Sequence, residues 1–351
     1  MKQIKNTGNK AAILLIYTGG TIGMKEDPSI QALRPFNFSQ ILKEVPELGK
    51  YAYRIDSYTF DPLIDSSDVE PSLWLALADL IEEKYDAYDG FVILHGTDTM
   101  AYSASALSFI IEGLTKPVIF TGSQLPIGVP RTDGKENLIS SVEIAAAKDE
   151  DGHAVVPEVC IYFDNVLMRG NRASKINSDN FRAFRSPNCP PLAEAGIHIR
   201  YNTGLIRLPE VWDAKPIFHK SLDTRVSILK MHPGITPQIV RSILCGQDTR
   251  AVIIETYGAG NAPSKDWFLS TVREAAAMGK ILLNITQCQA GSVNMDIYAT
   301  GKCLKEAGVT NGYDSTTESA LGKLFYLLGV FDETILVKGG LEKDLRGERS
   351  K

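Results

Sequence analysis

Short runs of aliphatic and β-branched residues alternate along this chain with longer segments of helical period, and that alternation restricts the fold more than any other feature. In the first half, Ala11–Tyr17, Tyr53–Phe60, Phe91–Leu94, Pro117–Phe120 and Glu158–Phe163 read as strands. Between them, Pro71–Tyr85 places Trp74, Leu77, Leu80, Ile81 and Tyr85 three or four apart, the stripe a helix needs to cover a sheet. Thr99–Gly113 and Lys135–Lys148 keep the same period. A second series follows, with strands at Val226–Lys230, Ala251–Glu255 and Lys280–Ile285 and helices at Pro237–Leu244, Lys265–Met278 and Thr317–Leu328. Strands that alternate with helices build parallel sheets with helical cover, so two α/β domains are expected. The aperiodic stretch Tyr201–Thr224, with Pro209, Trp212 and Pro216, separates them. The expected organisation is an N-terminal domain over 1–205, a linker over 206–225 and a C-terminal domain over 226–351.

Composition removes several classes of function. With 37 Lys+Arg against 42 Asp+Glu the net charge is −5, and no basic stripe offers itself to phosphates, so no nucleic-acid partner is expected. The longest apolar run, Ala11–Tyr17, falls well below the roughly 18 residues that span a bilayer, so no membrane anchor is expected. Lys2, Lys5 and Lys10 ahead of that run imitate a signal peptide. No A-x-A site follows, however, and cleavage there would remove the Thr18–Thr21 segment. Cys160, Cys189, Cys245, Cys288 and Cys303 are odd in number and widely spaced, which reads as reduced thiols in a cytoplasmic protein. His95, His153, His198, His219 and His232 are scattered without ligand spacing, so no metal is expected.

Three segments carry chemistry-bearing side chains just past strands, where open α/β sheets collect ligands. Tyr17–Gly23 (YTGGTIG) pairs glycines that let backbone N–H groups approach a ligand with two threonine hydroxyls. The same residues also suit a plain strand-to-loop turn. A dinucleotide fingerprint is excluded by context, because Met24–Phe36, with Pro28 and Pro35, supplies no helix to receive a pyrophosphate. His95–Met100 (HGTDTM) offers Thr97 and Asp98, although helix capping by Asp98 or Thr99 accounts for it equally. Arg169–Lys175 (RGNRASK) contributes Lys175, which by itself reads as a solvated loop lysine. Together they hold what amide hydrolysis needs: a hydroxyl nucleophile and a lysine able to take its proton when burial and neighbours lower its pKa. A Ser-His-Asp hydrolase lacks its G-x-S-x-G elbow here.

Taken in order, YTGGTIGM at Tyr17–Met24, DSSD at Asp65–Asp68, FVILHGTDTM at Phe91–Met100, TGSQ at Thr121–Gln124, RGNRASK at Arg169–Lys175 and YGAGNAP at Tyr257–Pro263 closely resemble the bacterial type I (cytosolic) L-asparaginases of the asparaginase/glutaminase family. The likeness runs from near Ala11 to the Leu345–Glu348 tail. It implies two doubly wound α/β domains, the larger N-terminal one with a mainly parallel sheet and the smaller C-terminal one Rossmann-like. It also implies hydrolysis of L-asparagine to L-aspartate and ammonia, without cofactor. Thr21 takes the place of the nucleophile that forms a β-aspartyl ester, and Thr97, Asp98 and Lys175 that of a relay activating a hydroxyl or water. Asp98 would hold the substrate α-ammonium, and Ser66 with neighbouring backbone the α-carboxylate. Gly20, Asp65, Ser67, Gly96, Ser123, Asn261 and Tyr298 complete the expected substrate contacts. Asn261 matches a residue that reaches across a subunit interface, implying a homodimer, commonly doubled to a tetramer. The tight turns at Gly19–Gly20 and Gly96–Thr97 are natural sources of oxyanion-hole N–H groups.

Two departures qualify the likeness. Many relatives keep a tyrosine in the loop after T-G-G-T, but none occurs here between Tyr17 and Tyr51, so Tyr298 is the expected source of any phenol; simple packing is its other reading. Relatives that bind a second, activating asparagine tend to carry arginine where this chain has Glu255, which reverses the charge met by an effector carboxylate. Either Glu255 forbids the inherited effector pose, or it pairs with a surface lysine and Arg250 receives the effector. Two rival functions remain. One is a broad asparaginase-glutaminase or an ammonia-delivering amidotransferase subunit; an acidic, two-domain chain of 351 residues leaves little room for the docking segment expected of the latter. The other is a non-catalytic amino-acid sensor, which would lack a hydroxyl or the lysine.

Overall fold

Six consecutive apolar residues bury both faces of a strand, so Ala12–Tyr17 (β1), buried throughout, belongs inside a sheet and not at its edge. The structure, a computed structural model, describes residues 11–27, 32–35, 43–297 and 299–350. β1 pairs in parallel with Arg54–Thr59 (β2), whose exposed side chains suit the edge, and with the buried Gly90–Leu94 (β3). Val118–Thr121 (β4) and Val159–Phe163 (β5) continue the parallel run. The sheet then turns antiparallel through Val166–Arg169 (β6), Ala193–Ala195 (β7) and Ile199–Tyr201 (β8), giving eight strands in the order β8-β7-β6-β5-β4-β3-β1-β2.

Helices cover both faces. Gly134–Ala146 (α3) lays Leu138 and Val142 on the face formed by Ile13, Leu15, Tyr17, Val92, Leu94 and Ile119. The alternate residues Leu14, Ile16, Phe91, Ile93 and Phe120 are buried on the other side, where Pro71–Lys84 (α1) and Met100–Ile110 (α2) pack on one another. Met24–Asp27 and Ala32–Pro35 pair as an antiparallel ladder, so these residues form no helix.

The second unit carries a wholly parallel sheet of four strands, Val226–Lys230 (β9), Ala251–Thr256 (β10), Ile281–Thr286 (β11) and Thr310–Asn311 (β12). Its helices are Pro237–Leu244 (α4), Asp266–Ala277 (α5), Ala299–Glu306 (α6), Thr317–Val330 (α7) and Thr334–Leu341 (α8). Leu229, Val252, Ile254, Phe268, Val272 and Leu282 gather in its core. The larger unit comprises Met1–Ser186 and Pro190–Phe218, the smaller Pro187–Cys189 and His219–Lys351. The division after Phe218 falls within the stretch expected to be a linker. Ile217–Phe218 is nevertheless paired with Ile111–Glu112, which fixes that part of the stretch to the larger unit. Among the described residues no helix is long and apolar enough to cross a membrane.

Candidate active site

Because β1, β3 and β4 are parallel neighbours, the loops after Tyr17, Leu94 and Thr121 leave the same edge of the sheet. Thr18 ties the first loop to the second: its N–H and its hydroxyl both donate to the Leu94 carbonyl, each at 3.0 Å. Gly19 and Gly20 have φ of 136° and 93°, which glycine adopts without strain. A Cβ on Gly19 would lie 2.1 Å from the Ile64 carbonyl oxygen, and one on Gly20 2.5 Å from Gly96 Cα. A Cβ on Gly96 would in turn lie 2.5 Å from Ser66 Oγ. Gly20, Gly96 and Ser66 are thus stacked backbone to backbone to hydroxyl, and Thr21 and Thr97 each follow one of the touching glycines. Thr21, half-buried, opens the short 3-10 turn Thr21–Gly23.

The strongest polar cluster joins the second and third motifs. Lys175 Nζ lies 2.8 Å from Thr97 Oγ1 and 2.7 Å from Asp98 Oδ1. Lys175 is held by the two-residue ladder Ser174–Lys175 with Phe184–Arg185. The other Asp98 oxygen takes a long, 3.4 Å bond from Ser66 Oγ, while Thr99 Oγ1 donates to the Ser66 carbonyl at 2.7 Å. Asp65 accepts from the N–H and hydroxyl of Ser67, and the Ser67 N–H followed by its hydroxyl holds the Asp65 carboxyl below the usual range. The fold brings together Thr97, Asp98, Lys175 and Ser66, four of the residues singled out by sequence reasoning.

Sequence reasoning quoted Gln124 and His95 within motifs but gave them no role. Thr97 donates its hydroxyl proton to Gln124 Oε1 at 3.3 Å, and Gln124 Nε2 donates to the Asn180 carbonyl at 3.1 Å. Gln124 also walls a cavity of about 420 Å³ shared with Leu125, Arg131 and Phe181. Asp133 anchors this turn by accepting from the N–H groups of Gln124 and Leu125. Burial pushes the Asp133 carboxyl up despite those donors. Ser123 donates its hydroxyl proton to the Leu125 carbonyl at 2.6 Å.

His95, 1% exposed, has both ring nitrogens engaged, Nδ1 with the Gly96 carbonyl at 2.7 Å and Nε2 with Ser103 Oγ at 3.0 Å. Trp74 Nε1 donates to Ser103 Oγ at 2.9 Å. The Gly96 carbonyl can only accept, which puts the proton of the neutral ring on Nδ1, so Nε2 accepts from Ser103, whose oxygen accepts from Trp74. Burial lowers the His95 pKa to about 4, so the ring is neutral at neutral pH. In a trans peptide the carbonyl and the following N–H point opposite ways, so anchoring the Gly96 carbonyl to His95 turns the Thr97 N–H away from that ring.

The remaining expected residues lie elsewhere. Asn261, in the smaller unit, accepts the Thr300 hydroxyl on Oδ1 at 2.7 Å, so its side chain presents its amide N–H groups. Tyr298 lies outside the described residues. Glu255 is buried, accepts the Thr317 hydroxyl at 2.6 Å and lies 3.4 Å from Lys230 Nζ. Arg250 is bonded to Asp223 at 2.9 Å and to the Leu328 and Asp332 carbonyls. Among the described residues Asp149, Asp151 and His153 bring atoms of metal-ligand type within 4.8 Å of one another. There Asp149 Oδ1 already accepts the N–H groups of Asp151 and His153, and the His153 ring stacks on Trp212.

Two hydroxyl loops and a carboxylate at the carboxyl ends of parallel strands, met by a lysine from the two-residue ladder beyond antiparallel β6 and accompanied by a second parallel-sheet unit, are the features of a two-unit α/β hydrolytic protein. Residues 12–207 match the family model "Asparaginase, N-terminal" and residues 225–335 the "Glutaminase/Asparaginase C-terminal domain". The chain belongs to the asparaginase family. It is 43% identical to L-asparaginase 1 of Escherichia coli over 97% of this chain and 98% of that protein. The crystal structure of L-asparaginase I from Vibrio cholerae superposes with a TM-score of 0.89 at 42% identity, covering 98% of this chain and all (100%) of that one. The L-asparaginase of Thermococcus kodakarensis gives a TM-score of 0.87 at 31% identity over 97% and 99%.

Proposed function

We propose that this protein hydrolyses L-asparagine to L-aspartate and ammonia in two steps, through an ester on Thr21. The observation that carries the reading is the contact of Lys175 Nζ with both Thr97 Oγ1 and Asp98 Oδ1, beside the Gly20–Gly96 contact that brings the Thr21 loop against the Thr97 loop. Thr21 Oγ attacks the side-chain amide carbon, the C–N bond breaks, and nitrogen leaves as ammonia after taking up the proton given up by the Thr21 hydroxyl. Water then cleaves the ester to release aspartate and restore Thr21. Lys175 is the proton acceptor for Thr97. In the resting arrangement the Thr97 proton points to Gln124, and it must swing to Lys175 before transfer. Asp98 is exposed and has one oxygen in only a long bond, which suits it to the substrate ammonium. Ser66 and backbone beside it take the α-carboxylate, and Gly20, Asp65, Ser67, Gly96 and Ser123 shape the cradle. N–H groups of the two glycine turns, Thr97 N–H foremost, face the oxyanion. In this reading Asn261 serves across the interface of a homodimer, no cofactor takes part, and the enzyme is cytoplasmic.

The test is ammonia release from L-asparagine and L-glutamine by purified wild type and Thr21→Ala. The variant should lose nearly all turnover with its unfolding transition unchanged. Retention of more than about a tenth of wild-type kcat, under ~1.4 kcal/mol of barrier, excludes Thr21 as nucleophile.

A further inference from the structure

Tyr17 ends β1 and is 0% exposed, packed in the core that also holds Ile22, Leu138 and Val142. Its hydroxyl has no hydrogen-bond partner among the described residues. A buried hydroxyl without a partner is destabilising, so its retention calls for a reason. The atom it meets supplies one. A Cβ built on Gly23 would lie 2.0 Å from Tyr17 Oη, 2.3 Å from Cζ and 2.9 Å from Cε2. Gly23 is not among the positive-φ residues, so its backbone conformation is open to any side chain and only space demands glycine there. Gly23 closes the turn opened by Thr21, its N–H bonded to the Gly20 carbonyl at 3.3 Å. The neighbouring Ile22 carbonyl is held by the Ile127 N–H at 3.2 Å. A rigid ring rooted in the central strand therefore stands directly under the Thr21–Gly23 turn.

We propose that Tyr17 is a positioning residue: its phenol, with the oxygen as the outermost spacer against Gly23, sets the height of the turn above the sheet and so the place of Thr21 Oγ. The role is steric, and the hydroxyl takes no part in proton transfer. This rests on the reading of Thr21 as nucleophile. The hydroxyl persists because it fills the gap a Gly23 side chain would otherwise occupy.

The experiment compares kcat, KM and Tm of purified Tyr17→Phe, Gly23→Ala and the double variant Tyr17→Leu with Gly23→Ala. Tyr17→Phe keeps the ring and removes the spacer oxygen. It should lower kcat about three- to tenfold with KM unchanged, while Tm holds or rises because an unsatisfied hydroxyl is gone. Gly23→Ala should lower kcat more than about tenfold, and shortening the side chain beneath it in the double variant should return kcat to within about threefold of wild type. Loss of Tm in parallel with kcat in Tyr17→Phe, or a double variant no faster than Gly23→Ala alone, overturns the proposal. A native kcat in Gly23→Ala with an inactive Thr21→Ala refutes the spacer and leaves the nucleophile standing, whereas an active Thr21→Ala refutes the nucleophile itself.

Discussion

Replacing Lys175 with methionine separates chemistry from stability, because the structure makes the two effects very different in size. Methionine keeps an unbranched apolar stem of similar reach and removes only the amine. The ion pair it breaks is not buried: Lys175 is 17% exposed but Asp98 is 63% exposed. Such a pair contributes at most about 1 kcal/mol once water screens it, so the unfolding midpoint should move by no more than a few degrees. Thr97 keeps its bond to Gln124, so no buried polar group is orphaned there. The loss of a positioned base costs roughly 10²- to 10⁴-fold in rate, about 2.7 to 5.5 kcal/mol of barrier. Lys175→Arg supplies the control. The guanidinium keeps a positive charge near Asp98 but stays protonated, so it preserves electrostatics without a base. Both variants should be slow in ammonia release from L-asparagine at saturating substrate, with near-native thermal unfolding. An Lys175→Arg enzyme that keeps more than about a tenth of kcat would show that only the charge matters, and the assignment of Lys175 as base would fall.

Three further outcomes follow from groups away from that pair. His95 is held neutral, with its pKa lowered to about 4 by burial, so the unfolded chain binds the extra proton first as pH drops from 6.5. Stability is therefore complete above that range and should fall by on the order of 3 kcal/mol toward pH 4, a slope that denaturant titrations should find missing in His95→Gln. In the smaller unit Lys323 and Glu348, 5% and 0% exposed, form a buried pair, with Lys323 also donating to the Leu341 and Lys343 carbonyls. Lys323→Met should cost about 3–5 kcal/mol by calorimetry and Lys323→Met with Glu348→Gln distinctly less, since the first takes the Lys323 charge from a buried carboxylate; equal costs would refute this. Glu255, held by Thr317 and Lys230, would repel an effector carboxylate, and Arg250, the alternative recipient, is engaged by Asp223, so rate should depend hyperbolically on asparagine; a sigmoidal curve would contradict it.

The parallel core strands and their covering helices were legible because their cause is local. Ala12–Tyr17 and Gly90–Leu94 are apolar on both faces, and no other environment suits them. The antiparallel extension was harder. β6 follows β5 through Asp164–Asn165, whose φ values of 48° and 65° are those of a tight hairpin, and that Asp-Asn pair is the one local sign of it. β7 and β12 have three and two residues, too few to show any period.

The same distinction divides the site. Thr21, Thr97, Asp98 and Lys175 sit in recognisable motifs, and motif order alone predicted their company. Gln124, His95 and Tyr17 lie in the same motifs, but nothing in their residue type assigned them a role, which comes from hydrogen bonds and backbone contacts that only the fold shows. Gln124 meets Thr97 27 positions away, and Tyr17 matters through the space it denies at Gly23. A glycine in a turn usually signals a positive φ; at Gly19 and Gly20 it does, and at Gly23 it does not. The three glycines read alike in the sequence, yet two are required by backbone conformation and the third by a phenol beneath it. Substituting alanine at Gly20 should therefore resist rescue by any single neighbouring change, since its Cβ would meet Gly96 Cα, whereas alanine at Gly23 meets a side chain that can be shortened.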